Sequence, residues 1–163
     1  MEVNKLSKTM AVRRLGQLDI PAILAVCSGN TLYFQYHPPV ATAESISADM
    51  QALPPGKEPE DKYYIGFFAE SRLVAVMDLI LDYPETETAF IGFFMVEVVQ
   101  QHAGIGSRLV TEAADYLYTL GYRKLRLGVD RGNPQSFAFW RKNGFSQVDE
   151  GRYIVMERMI GMA

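Results

Sequence analysis

The 163-residue chain contains one cysteine, Cys27, so no internal disulfide can form. That usage suits a reducing compartment and excludes a fold stapled by disulfides. Cys27 itself reads as a small buried apolar residue on a helix. Long apolar runs are also scarce. Asp78, Asp82 and Glu97 interrupt the best candidates before they reach the roughly 18 residues a membrane span requires, so no membrane partner is expected. Met1-Glu2-Val3-Asn4-Lys5 has no apolar signal core, and the expected location is therefore cytoplasmic. Positive charge is not in excess either. With 16 basic and 19 acidic side chains the formal net charge is −3, which argues against a nucleic-acid partner. There is no internal repeat, low-complexity tract or long linker.

What is present is ordinary for a globular protein: 48% apolar and 21% charged residues. The length fits a single domain over residues 1–163 with a sizeable core. Thr9 to Arg14 alternates as a strand does. Leu18, Ile20, Ile23, Leu24 and Cys27 fall at helical spacing within Gln17 to Cys27. The aromatic, proline-containing stretch Thr31 to Val40 reads as a loop or short helical turn. Thr42 is placed to cap a second helix reaching Leu53. After a proline-rich connector, Tyr63–Ala69 and Leu73–Leu81 form an expected hairpin, and Ala89–Val96 a further strand. Ile105, Leu109, Ala113, Leu117 and Leu120 mark one face of an amphipathic helix stopped by Gly121. A strand over Lys124–Val129, a helix from Asn133-Pro134 to Gly144 and a last strand over Tyr153–Met159 complete the order. The class is α/β (α+β): a mixed, mostly antiparallel central sheet flanked by helices.

The most informative stretch runs from Met95 to Leu109, where a buried strand passes through a glycine-containing turn into a long helix. Gly104 and Gly106 remove side chains where backbone amides would approach a ligand. The free amides of the first helical turn and the positive helix end then favour an anion. Two nucleotide fingerprints fail on spacing. The dinucleotide motif requires glycine where Leu109 stands, and the Walker loop requires Lys-Ser/Thr where Ser107-Arg108 stands.

Gln101-His102-Ala103-Gly104-Ile105-Gly106 resembles the Q/R-x-x-G-x-G/A signature of the GNAT superfamily of acyl-CoA-dependent N-acetyltransferases. Asn133, Ser136, Phe137, Trp140 and Lys142-Asn143-Gly144-Phe145 resemble that family's N-x-x-A-x-x-x-Y-x-x-x-G-F segment. The resemblance covers Tyr63 to Phe145. It implies a sheet splayed at its fourth strand, acetyl-CoA as cosubstrate with no metal, and attack of an amine on the thioester. It further implies that main-chain amides from Gln101 to Ser107, including His102, Ala103, Gly104, Ile105 and Gly106, wrap the pyrophosphate. Val96 and Val98 would pair with the pantetheine arm, and the Val96 amide would meet the thioester oxygen. Asn133 would hydrogen-bond the pantetheine, although an N-cap before a first-turn proline needs no ligand. Trp140 stands where many members carry a tyrosine acid. Its indole N–H donates a hydrogen bond but gives up no proton near neutrality, so it either packs the helix or serves the cofactor, and the acid would be water or another residue such as Tyr153.

For the base the choice falls on Glu97 beside the thioester, with Asp78 and His37 as alternatives and His102 wrongly placed. The acidic run Asp78, Asp82, Glu85, Glu87 and Glu97 suggests a cationic acceptor, either a small-molecule or a peptide amine, while the basic second half suits a phosphate-bearing cofactor. A homodimer is common in the family. The rival reading is a catalytically silent acyl-CoA-binding sensor.

Overall fold

Lys62–Ala69 (β2) and Arg72–Leu81 (β3) are buried on both sides, which is why their sequences run almost continuously apolar instead of alternating. They are the second and third strands of a seven-stranded sheet in the computed structural model, which describes residues 1–161. The remaining strands are Ala11–Arg14 (β1), Thr88–Val96 (β4), Lys124–Asp130 (β5), Ser146–Glu150 (β6) and Tyr153–Met159 (β7). Their order is β1-β2-β3-β4-β5-β7-β6, antiparallel throughout except for the parallel pair β4–β5. The helices are Ile20–Ser28 (α1), Thr31–Tyr36 (α2), Ala43–Gln51 (α3), Ile105–Thr119 (α4) and Pro134–Lys142 (α5).

Alternation along the strands divides the core in two. Ile65, Phe67, Met77, Leu79, Leu127 and Met156 face one way, under Leu109, Ala113 and Leu117 of α4 and Trp140 of α5. Tyr64, Val76 and Met95 face the other way, under Ile23 and Cys27 of α1, Phe34 of α2 and Ile46 of α3. Cys27 is buried, and burial pushes its thiol up to about 11. No helix among the described residues is long and apolar enough to cross a membrane.

Several local expectations hold for evident physical reasons. The Thr42 hydroxyl caps α3 by accepting from the Ser45 amide at 3.1 Å. Asn133 caps α5 ahead of Pro134. Two elements differ from the sequence reading. Thr31–Tyr36 forms a full short helix, and Ser146–Glu150 forms an edge strand that the sequence does not betray. All five residues of β6 are exposed, so no apolar face marks it, and its pairing with β7 alone makes it a strand.

Glu112 joins the N-terminal segment to α4. It is a buried carboxylate that accepts from the Ser7 hydroxyl, the Lys8 amide at 3.0 Å and the Thr9 hydroxyl at 3.1 Å. Burial alone would raise its pKa, but those donors together hold it below the ordinary carboxylate value. The stability it contributes is therefore fully present above about pH 4.3 and is lost as pH falls through the lower folded-state value. Glu112→Gln should cost about 1.5–3 kcal/mol at neutral pH, the scale of hydrogen bonds to a charged group. The deficit should shrink on acidification; urea denaturation at pH 7 and pH 3.5 measures both.

Candidate active site

β4 and β5 are paired only from Thr88–Ile91 against Lys124–Leu127. Beyond that point β4 continues with β3 to Val96, while β5 continues with β7 to Asp130. The parting begins at a bulge: Leu79 opposes Ile91 and Asp78 opposes Phe93, which leaves Gly92 as the extra residue. A side chain there would put its Cβ 2.9 Å from Asp78 Oδ2, so anything larger than glycine would displace the carboxylate from its place beneath the bulge. The gap is a cleft of about 520 Å³ that passes through the sheet. Phe139, Trp140, Gly106 and Ser107 line it on the α4–α5 face, and Asn30, Tyr33, Phe93 and Asp130 on the other.

At the α4 end the backbone supplies donors. Among the described residues the amides from His102 to Ser107 meet no protein acceptor, and they sit at the positive end of a 15-residue helix. His102 and Gly104 both adopt left-handed conformations, with φ of 63° and 78°, which folds this stretch into a tight turn. Gly106 answers a different need. An added Cβ would lie 3.2 Å from the Phe139 ring and 3.4 Å from Val96, so this glycine lets α4 approach α5 and β4 closely. The Gln101 amide is already used by the Val98 carbonyl at 3.1 Å. Its side chain donates to Asn30 Oδ1 at 2.6 Å and to the Val96 carbonyl at 2.8 Å, tying the turn to α2 and the strand end. The whole arrangement fits an anion such as a pyrophosphate.

Glu97 donates its amide to the Val74 carbonyl at 2.8 Å. Alternation then turns the amides of Val96 and Phe94 away from β3 and toward the cleft. Phe94 is a cleft residue the sequence reading did not single out; it lies two residues before Val96, with its amide on the same side of β4. Val98 lies outside the strand, exposed in the 3-10 turn Val98–Gln100, and does not line the cleft.

The remaining candidates separate clearly. Trp140 lines the cleft and packs on Phe94, Phe139 and Phe145, with ring centroids 5.9, 4.9 and 5.0 Å away. Asn133 is buried, its side chain accepting from the Ser136 amide at 3.2 Å and donating to the Ser136 hydroxyl at 3.0 Å, so it works as a cap. Glu97 pairs with Arg72 at 3.2 Å through one oxygen, buries the other without a partner, and does not line the cleft. Tyr153 stands opposite Asp130 in the β5–β7 register, its Cβ close over Gly128, on the sheet face away from Trp140.

The acidic run does not converge on the cleft. Asp82, Glu85 and Glu87 lie before β4, at the opposite end from Val96, where Glu85 pairs with Lys124 and Asp82 accepts from the Tyr122 hydroxyl. Asp78 lies beneath Gly92 and accepts from Lys62 at 2.8 Å; burial raises its pKa against the pull of that ammonium. The carboxylate that does line the cleft is Asp130, held 2.9 Å from His37 Nδ1.

The profile of the acetyltransferase (GNAT) family matches residues 30–145. The chain belongs to this family. A spermidine N(1)-acetyltransferase of Thermoplasma acidophilum is 30% identical over 99 residues, a stretch that covers 60% of this chain and 60% of that protein. Among solved structures, the PaiA N-acetyltransferase of Thermoplasma acidophilum in complex with coenzyme A superposes with a TM-score of 0.70 at 22% identity, over 93% of this chain and 99% of that one. An acetyltransferase from Thermus thermophilus superposes with a TM-score of 0.80 at 24% identity, over 93% and 97% of the two chains. These GNAT structures share the fold, including the mostly antiparallel sheet flanked by helices.

Trp140 donates its N–H to no protein acceptor among the described residues, so the ring's structural contribution is packing. Trp140→Phe should lower stability by about 1–3 kcal/mol through the void it leaves. Single-turnover acetyl transfer should stay within about threefold of the parent; a collapse of that rate in folded protein would assign the indole N–H a direct part.

Proposed function

We propose that this acetyltransferase passes the acetyl group of acetyl-CoA to the primary amine of a cationic small molecule, a polyamine being the favoured class. The observation that carries the reading is the cleft through the sheet, lined by unpaired amides on one face and by a carboxylate with aromatic rings on the other. Two substrates of opposite charge are thereby accommodated from opposite sides, and they meet where β4 and β5 part. The similarity to a spermidine acetyltransferase supports the choice of acceptor.

Acetyl-CoA, when bound, supplies an activated acyl thioester. On this reading the amides from His102 to Ser107 hold its pyrophosphate, and Gln101 fixes the turn that presents them. Val96 and Phe94 pair with the pantetheine arm along the free edge of β4. The Val96 N–H meets the thioester oxygen, where it stabilises negative charge as the carbonyl is attacked. Phe94, Phe139 and Trp140 exclude water from the acyl group. Asn133 acts through the shape of α5, whose start it caps. A thiol with a pKa of about 8.5 leaves as thiolate without a strong acid, so Trp140 in place of an acidic side chain is compatible with turnover. Tyr153, on the amine's side of the sheet, is better placed to line the acceptor's path than to protonate sulfur. Glu97, held by Arg72, secures the end of β4.

Ser107→Glu tests the anion seat. A carboxylate in the first turn of a helix favours the helix itself, so the fold should survive, while coenzyme A binding weakens on the order of tenfold or more. Calorimetric titration of parent and variant measures it, and equal affinities would place the anion elsewhere. The same parent protein, given acetyl-CoA and a panel of amines, should release thiol fastest with spermidine-like polyamines. Coenzyme A binding without thiol release from any amine would identify a sensor instead.

A further inference from the structure

Sequence places His37 and Asp130 93 residues apart, yet the fold joins them on the amine's side of the sheet, with His37 against the Asp130 carboxylate that lines the cleft. His37 Nδ1 lies 2.9 and 3.1 Å from the two oxygens of Asp130. Asp130 is carried there by the last residue of β5, past the point where β4 has left it. His37 is carried there by the end of α2, whose Tyr33 also lines the cleft and lies against the imidazole at 5.4 Å. An imidazole facing a carboxylate through Nδ1 keeps its proton on that nitrogen when neutral, which leaves the Nε2 lone pair free. The His37 side chain is 42% exposed, so a proton taken up can pass to water, whereas that of Asp130 is only 15% exposed.

We propose that the His37–Asp130 pair is the base that deprotonates the acceptor amine. The inference rests on the acetyl-transfer reading above and supplies its missing proton acceptor. The ammonium R–NH3⁺ gives one proton to His37 Nε2, directly or across one water, and so frees the nitrogen lone pair. That pair forms the N–C bond to the acetyl carbon, the C–S bond breaks, and coenzyme A leaves as thiolate. The second proton lost by the nitrogen is taken up by the thiolate, and the imidazolium returns its proton to solvent. The balance is R–NH3⁺ plus acetyl-CoA to acetamide, coenzyme A and H⁺. Asp130 attracts the cationic amine and then stabilises the imidazolium it helps to create.

The neighbours agree with this assignment. The charged and titratable groups facing the pair are Tyr33 from α2, Asp49 from α3 and Tyr153 from β7. Asp49 adds a second carboxylate on this side of the sheet. Burial drives the Tyr33 phenol well above its ordinary value, so it does not compete as a base near neutrality. Glu97 is tied to Arg72 and Asp78 to Lys62, so each carboxylate already has a protein cation as partner.

The test compares parent, His37→Gln and Asp130→Asn with two acceptors: spermidine, which is charged at neutral pH, and an aromatic amine, which is neutral. With spermidine, His37→Gln should lose on the order of 10²-fold in turnover while the Michaelis constant for acetyl-CoA stays unchanged. The acidic limb of the parent pH profile should vanish, leaving a rate that climbs only as the amine itself deprotonates. With the neutral amine the loss should be less than about threefold, because no proton has to be taken before attack. Imidazole added to His37→Ala should restore part of the spermidine rate. Equal losses with both amines, or an unaltered pH profile, would overturn the assignment while leaving acetyl transfer intact. A parent protein inactive with every amine would overturn the transfer reading and the base together.

Discussion

Everything at the cleft depends on two parallel strands ceasing to be neighbours. Four residues of register hold β4 to β5, and then Gly92 inserts an extra residue over Asp78 and turns β4 away. Once parted, β4 presents the amides of Phe94 and Val96 with no partner strand, an arrangement a closed sheet would not tolerate. Helix α5 fills its side of the gap with Phe139 and Trp140, and the opposite face supplies Tyr33 and Phe93. An unpaired strand edge in a sheet invites an extended ligand to complete it. The bulge thus creates both the space for a substrate and the hydrogen-bonding edge that would hold one.

The turn beyond β4 owes its form to a second constraint. His102 and Gly104 are left-handed, and the residues between Val98 and Ile105 must reverse direction within one helical diameter. The side chain of Gln101 fixes that reversal by bridging Asn30 and the Val96 carbonyl. A residue whose type suggests ligand contact is here an internal brace, and the ligand-facing groups are amides. Glycine has two separate uses in the same motif: Gly104 supplies a conformation, and Gly106 supplies proximity to Phe139.

Local chemistry is legible in the chain, and long-range assembly is less so. The apolar spacing of Ile105, Leu109, Ala113 and Leu117 is a property of one helix, and α4 begins and packs as that spacing requires. The caps at Thr42 and Asn133 are likewise set within three residues. The family resemblance implies that Val98 continues the edge that Val96 presents. The chain instead turns at Glu97, since its amide takes the last bond β3 offers. β6 escapes notice because an exposed strand has no apolar period to reveal it. The pairing of His37 with Asp130 follows from where α2 ends and β5 stops, and nothing local in either segment encodes it.

Charge distribution in the folded protein differs from charge distribution along the sequence. The acidic run from Asp78 to Glu97 reads along the chain as an amine site, yet four of its five members, all but Glu87, are spent on Lys62, Lys124, Arg72 and Tyr122. A carboxylate already paired with a protein cation has little attraction left for a substrate. Asp130 differs because its partner is a histidine rather than a lysine or arginine, and its carboxylate lines the cleft. On the proposed reaction this asymmetry acts at both ends of the cycle. The cationic amine is drawn to Asp130, and acetylation removes the charge that drew it. The acetylated nitrogen, now a neutral amide, loses its electrostatic hold on Asp130 even where a polyamine keeps its other charges, so the contact that recruits that nitrogen does not retain it.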